Sequence, residues 1–180
     1  MTDRTEAALA LLERCGAADA EHPGGTLLAH LLRVRERLAA WGARPELQLA
    51  GLCHASYGTD GFPDGLLPPA RRHEVRAAAG DEAEELVYFY ASCDRVASSP
   101  ELHRPGTPFL DRFTGESSVP SAGMRREFAE LTAANELDIA AVSPEFRARW
   151  GPDLLSLPTR LGPLLSEAAR QDVHRVLGRG

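Results

Sequence analysis

Residues 26–59 read TLLAHLLRVRERLAAWGARPELQLAGLCHASYGT, and this stretch decides the fold. Leu27, Leu31, Val34, Leu38 and Trp41 recur at i, i+4, i+7, i+11 and i+14, with arginines and Glu36 between them. That spacing is one apolar stripe of an amphipathic helix. Thr26 stands where an N-cap hydroxyl belongs, and Gly42 where a helix commonly ends. Pro45 opens a second helix at its favoured first turn. Leu47, Ala50 and His54 share one face of it, with Cys53 beside them. His30 flanks the stripe of the first helix, and His54 closes the second. The loop that follows, from Tyr57 to Pro63, is rich in turn residues.

Working outward, residues 4–14 repeat Ala and Leu at helical spacing and stop at Gly16. A loop from Glu21 to Gly25 leads into the Thr26 cap. Pro68-Pro69 starts a third helix that ends at Gly80, and Asp81 caps a fourth. On the fourth, Leu86, Phe89 or Tyr90, Cys93 and Ala97 point inward, and Asp94-Arg95 lie near its end. Residues 98–123 are broken by Ser, Pro and Gly, and a loop of this length is usually functional or mobile. Its middle, Phe109 to Glu116, mixes apolar anchors with charge and is expected to pack down. A long helix is expected over 124–142, with Phe128, Leu131, Asn135, Asp138 and Val142 on one stripe. Ser143-Pro144 is expected to cap a short helix to Trp150, and Pro163–Leu177 forms the terminal helix. No strand, repeat or dividing linker is expected.

Composition narrows the function. The net charge is −6 over 180 residues, so the phosphate-neutralising contribution to nucleic-acid binding is absent overall. All 20 basic residues are arginine, which rules out lysine Schiff-base and P-loop chemistry. Cys15, Cys53 and Cys93 are far apart and lack zinc spacing, so they read as small buried apolar residues in a reducing compartment. Cys53, next to His54, is a conceivable nucleophile, but catalytic thiols need an electropositive, partly exposed setting. The polar start from Thr2 to Glu6 argues against a signal peptide. No apolar run approaches the ~20 residues that span a bilayer. A cytoplasmic protein without membrane contact is expected.

Polar groups recur at core-facing positions: His30, His54, Asp94 and Asn135. A buried imidazole needs a hydrogen bond, and it serves as ligand, base or structural donor alike. His22, in the loop before Thr26, either caps a helix or joins the same pocket. His73, His103 and His174 stand in polar contexts and read as solvated surface.

A histidine in one helix, a second closing the next (Gly51-Leu52-Cys53-His54-Ala55) and a later long helix resemble the HD-domain metal-dependent phosphohydrolase superfamily. The nearest pattern is its ppGpp-hydrolase branch, with stretches like Ala-Leu-Leu-His-Asp and Leu-Ala-Asp-Arg-Leu. The second stands here as Thr132-Ala133-Ala134-Asn135-Glu136-Leu137. The segment Arg72 to Val87 is similar too. The chain also resembles an uncharacterised HD-like helical family with the hallmarks His-Ser/Ala-x-Tyr-Gly-Thr, Arg-Phe-Thr-Gly-Glu and Asn-Glu-Leu-Asp. The resemblance implies an all-α, single-domain HD-domain-like bundle over 1–180, with a core of about 22–142 and a C-terminal helical extension, 143–180.

The metal set implied by the resemblance is His, His-Asp, Asp. His30 and His54 are kept, but Ala55 and Asn135 stand where the carboxylates belong, and Gly58-Thr59 replaces an acidic pair. Hard cations rely on carboxylate charge. A metal-free pocket is therefore expected, with His30 and His54 as ligands if a divalent metal is present. Asp60, Asp94 or Glu116 could rebuild a site. The leading expectation is a His/Asn pocket that binds a small polar ligand, in small-molecule or natural-product biosynthesis. His30 or His54 would do acid/base work there, with Tyr57 and Asn135 orienting the ligand. His22, Thr59, Asp94, Arg95, Arg112 and Glu116 would bind it, the arginines through forked donors. Two other readings stand beside it. One is a non-catalytic accessory subunit, partnered with a biosynthetic enzyme. The other is a metal-dependent hydrolase or oxygenase with a rearranged ligand set. Whether the chain is an enzyme, and its oligomeric state, stay open at this point.

Overall fold

The structure is a computed structural model that describes residues 3–59, 63–98, 101–145, 154, 156 and 160–177. It is all-α. The helices are α1 (Asp3–Arg14), α2 (Leu27–Ala40), α3 (Pro45–Cys53), α4 (Arg72–Ala79), α5 (Asp81–Ser92), α6 (Ala122–Val142) and α7 (Glu167–Leu177). Pro69–Arg71 and Gly162–Leu164 are single 3-10 turns.

The expected punctuation is in place around α2 and α3. The Thr26 hydroxyl accepts from the Ala29 amide, and Gly42 takes a φ of 76° just past α2. α3 packs on α2 at Gly51, where a Cβ would come 2.5 Å from Leu38 Cδ1. Glycine leaves room there for the end of the Leu38 side chain. Leu31, Val34 and Leu38 are fully buried, each contributing about 1.5–3 kcal/mol of apolar burial. α5 covers α3, α6 covers α2, α1 packs on α4, and α7 packs on α6.

Several expectations are corrected. α5 ends at Ser92, because Cys93 turns extended to pair with Asp111. Ala97 is exposed rather than inward. Two short ladders exist where no strand was expected: β1 (Glu21–His22) with β2 (Gly25–Thr26), and β3 (Phe109–Leu110) with β4 (Ser117–Ser118), both antiparallel. Each closes a tight turn through a glycine at positive φ, Gly24 at 82° and Gly115 at 75°. The 98–123 region does pack down, with Leu102 and Phe109 buried. The terminal helix starts at Glu167, after the 3-10 turn. The helix expected from Ser143-Pro144 to Trp150 falls largely outside the described residues, as does Asp60. No helix of the described residues is long and apolar enough to cross a membrane.

Candidate functional site

Three side chains converge inside the bundle. His30 comes from the first turn of α2, His54 from the C-cap of α3, and Asn135 from the middle of α6. His30 Nε2 lies 3.4 Å from His54 Nε2 and 3.0 Å from Asn135 Oδ1. His54 Nε2 lies 3.1 Å from the same Oδ1. The three atoms form a near-equilateral triangle.

Each imidazole is oriented from behind. His30 Nδ1–H donates to Asp138 Oδ2 at 2.7 Å, and His54 Nδ1–H donates to the Gly51 carbonyl at 2.8 Å. A carboxylate and a carbonyl only accept, so each ring carries a proton on Nδ1. Both Nε2 atoms face the triangle, and that of neutral His54 does so as a bare lone pair. Arg33 clamps Asp138 with two bonds, Nε to Oδ1 at 2.8 Å and Nη2 to Oδ2 at 2.9 Å. Burial pushes the Asp138 carboxyl up, but the hydrogen bonds from His30 and Arg33 outweigh it and hold the group below the usual carboxylate range. His54 is pushed down to about 3, by burial first and by neighbouring His30 second. It is 3% exposed, so it is neutral at physiological pH.

The surroundings are largely aromatic. The half-buried His22 ring stacks on His30 with centroids 4.1 Å apart, and burial lowers His22 to about 4. Tyr90 stands edge-on to His54 at 5.6 Å, and the Arg95 guanidinium lies 5.0 Å from the Tyr90 ring centre. Of the residues expected from the sequence, the structure thus gathers His22, His30, His54 and Asn135, with Arg95 one ring further out.

The others are elsewhere, each for a physical reason. Tyr57 is committed to a different network: its hydroxyl donates to Glu84 Oε1 at 2.9 Å. Asp94 closes its own turn, accepting from the Val96 and Ala97 amides. Arg112 bonds the Ala91 carbonyl at 2.8 Å and stacks on Phe113, so it ties the β3–β4 hairpin to the end of α5. Glu116 is exposed on that hairpin, and Thr59 is half-buried in the loop after α3.

Two residues with structural or orienting roles escaped the sequence reading. Asp138 reads as a stripe residue of α6, yet it sits three positions after Asn135 and so on the same face. Glu84 is fully buried and takes bonds from Tyr57, Arg72 and Arg76. The i, i+4 arginine pair on α4 is its sequence signal.

The donor set can be tested against the metal implied by the resemblance. Among the described residues, no third His, Cys, Asp or Glu joins the two histidines. Two imidazole nitrogens and an amide oxygen are neutral, which suits borderline transition metals rather than Mg or Mn. Two donors 2.0–2.1 Å from one ion, at right or tetrahedral angles, lie about 2.9–3.4 Å apart. All three sides of the triangle fall in that span. The orienting partners, a carboxylate on one histidine and a backbone carbonyl on the other, are those that ligating histidines usually have. The residues present therefore fit a single transition-metal ion and do not fit a hard-cation pair.

No curated protein and no solved structure gives a significant match to the chain. Residues 11–95, which carry His22, His30 and His54 but neither Asn135 nor Asp138, match a family described as a domain of unknown function (DUF6817).

Proposed function

We propose that the chain is an HD-domain-like enzyme whose His30–His54–Asn135 triangle holds one divalent transition-metal ion and acts on a small polar substrate. This is the rearranged-ligand reading of the sequence, preferred to the metal-free pocket for one reason. With both rings in the neutral form that binds metal, three acceptor atoms point at one another and nothing between them donates. The Asn135 amide, turned over, would offer two hydrogens that diverge by about 120°, which a near-equilateral triangle of acceptors meets poorly. A cation satisfies all three lone pairs at once.

The chemistry such an ion supplies is polarisation of a bound oxygen and acidification of bound water. The protein's part follows from its own contacts. Asp138 and Arg33 hold the His30 ring in one tautomer and one orientation. The Gly51 carbonyl does the same for His54. Burial keeps His54 unprotonated, so its Nε2 stays available at neutral pH. Tyr90 and the His22 stack narrow the approach. Arg95, over the Tyr90 ring, puts a positive charge one ring away from the triangle, which favours an anionic substrate.

Zinc titration of the metal-stripped protein tests the reading by calorimetry. Wild type should bind one equivalent, and His54→Ala should bind none. Asp138→Asn should bind about 10–100-fold more weakly, the usual effect of losing a partner that orients a ligand. Asn135→Asp should bind more tightly, since it adds a carboxylate. Unchanged binding in His54→Ala, or no binding by wild type, sinks the metal reading and leaves the metal-free pocket.

A further inference from the structure

Arg125 is the one buried arginine among the described residues, 7% exposed. It sits in the first turn of α6, ten residues and thus about 15 Å along the helix from Asn135. Its guanidinium makes a single bond, Nη1 to the His103 carbonyl at 3.3 Å. Nε is buried with no partner, and so is Nδ1 of His103. No carboxylate among the described residues pairs with Arg125. The nearby acids in sequence are engaged elsewhere: Glu101 with Arg104, Glu127 with Arg44, and Glu130 with the Ser166 amide.

A guanidinium cannot shed its proton. Burying it unpaired is strongly unfavourable, and proteins answer such a charge with an anion or with good hydrogen bonds. Among the described residues the charge is answered by one long bond to a carbonyl, and Nε is left buried and unpaired. We propose that Arg125 and His103 form a second site, which binds a small oxyanion between the first turn of α6 and the 101–104 turn. The guanidinium fork matches two oxygens of a phosphate or carboxylate. His103, whose carbonyl Arg125 holds, carries a buried ring nitrogen with no partner. The burial of Arg125 and of the His103 Nδ1 atom favours a small ion over the side chain of a protein partner. The site stands independently of the histidine triangle.

Thermal unfolding of the full chain in chloride buffer, with inorganic phosphate or acetate added at matched ionic strength, tests the proposal and separates the two oxyanions. At a hundredfold excess over its dissociation constant, the bound anion should raise Tm by about 5–10 °C. Arg125→Met should melt above wild type without oxyanion, because the unpaired charge is gone, and neither anion should move it beyond the chloride control. Should Arg125→Met fail to fold, His103→Ala decides: it should lose about tenfold in affinity, the worth of one hydrogen bond. His54→Ala should keep the full shift. The proposal is overturned if neither anion moves wild type more than chloride does. It is overturned equally if Arg125→Met shifts as wild type does, if His103→Ala binds unchanged, or if His54→Ala abolishes the shift.

Discussion

His54 and His22 make stability depend on pH in a stated direction. Both are held below the ordinary histidine value of 6.5, at about 3 and about 4, chiefly by burial. The unfolded chain therefore binds protons that the folded chain refuses. Their stabilisation is full above pH ~6.5 and is lost as pH falls toward the folded values. Each tenfold loss of proton affinity on folding corresponds to ~1.4 kcal/mol, to be discounted for half-buried His22. Denaturant midpoints should hold steady above pH 7 and drop through pH 6 to 4, and His54→Gln should flatten that slope. A midpoint that rises on acidification would contradict the neutral-histidine picture. Asp138 adds a later loss, since its carboxylate, held below the usual range, is protonated only at still lower pH. At this scale the sequence was legible where a side chain's position followed from periodicity. His30, His54 and Asn135 stand on inward faces that their spacing announces. What Asp138 touches did not follow, because His30 and Arg33 lie 108 and 105 residues away, and the bond of Glu84 to Tyr57, 27 residues away, was equally hidden.

The elements bear on the site through close approaches. The loop after α3 is braced at Gly65, where a Cβ would lie 2.5 Å from the Gly58 nitrogen and from the Tyr57 carbonyl carbon. These are backbone atoms and cannot swing aside. At Gly51 the obstacle is the end of the Leu38 side chain, which can yield. Gly65→Ala should therefore cost about 1–3 kcal/mol in denaturant unfolding, as overpacking typically does. It should also weaken zinc binding, because the displaced loop begins at His54. Undisturbed stability in that variant would show the loop to be less tightly held than the contacts imply. Helix starts and stops were readable where the signal was local: Thr26, Gly42, Pro45 and Gly80. The end of α5 was not. Its inward pattern runs on through Cys93 and Ala97, and only pairing of Cys93 with Asp111, 18 positions later, breaks the helix. The two-residue ladders were illegible for the same reason, being too short to show alternation.

At the scale of the molecule, the C-terminal segment is tied back to α2. Asp172 on α7 accepts from Arg37 at the end of α2 and from the Trp41 indole at 3.2 Å. Arg175 bonds it too. With 11% exposure, this carboxylate joins elements that are 135 residues apart in the chain. Asp172→Ala should cost about 1–3 kcal/mol, the penalty for leaving buried donors unpaired. Zinc affinity should stay within about twofold, since distant sites act additively. A large change in affinity would mean that α7 reaches the histidine triangle through α6.

The triangle joins one pair of residues close in sequence to one distant residue. His30 and His54 are 24 positions apart, on helices joined by a short turn, whereas Asn135 arrives from 81 positions beyond His54. Closing the first gap costs less chain entropy than closing the second, so the paired histidines are expected to form first, with α6 completing them. The same order runs backward when the bundle opens. Release of anything held in the triangle is then timed by the lifting of α6 away from α2 and not by unfolding of the α2–α3 pair, and residence time becomes a property of one helix's departure.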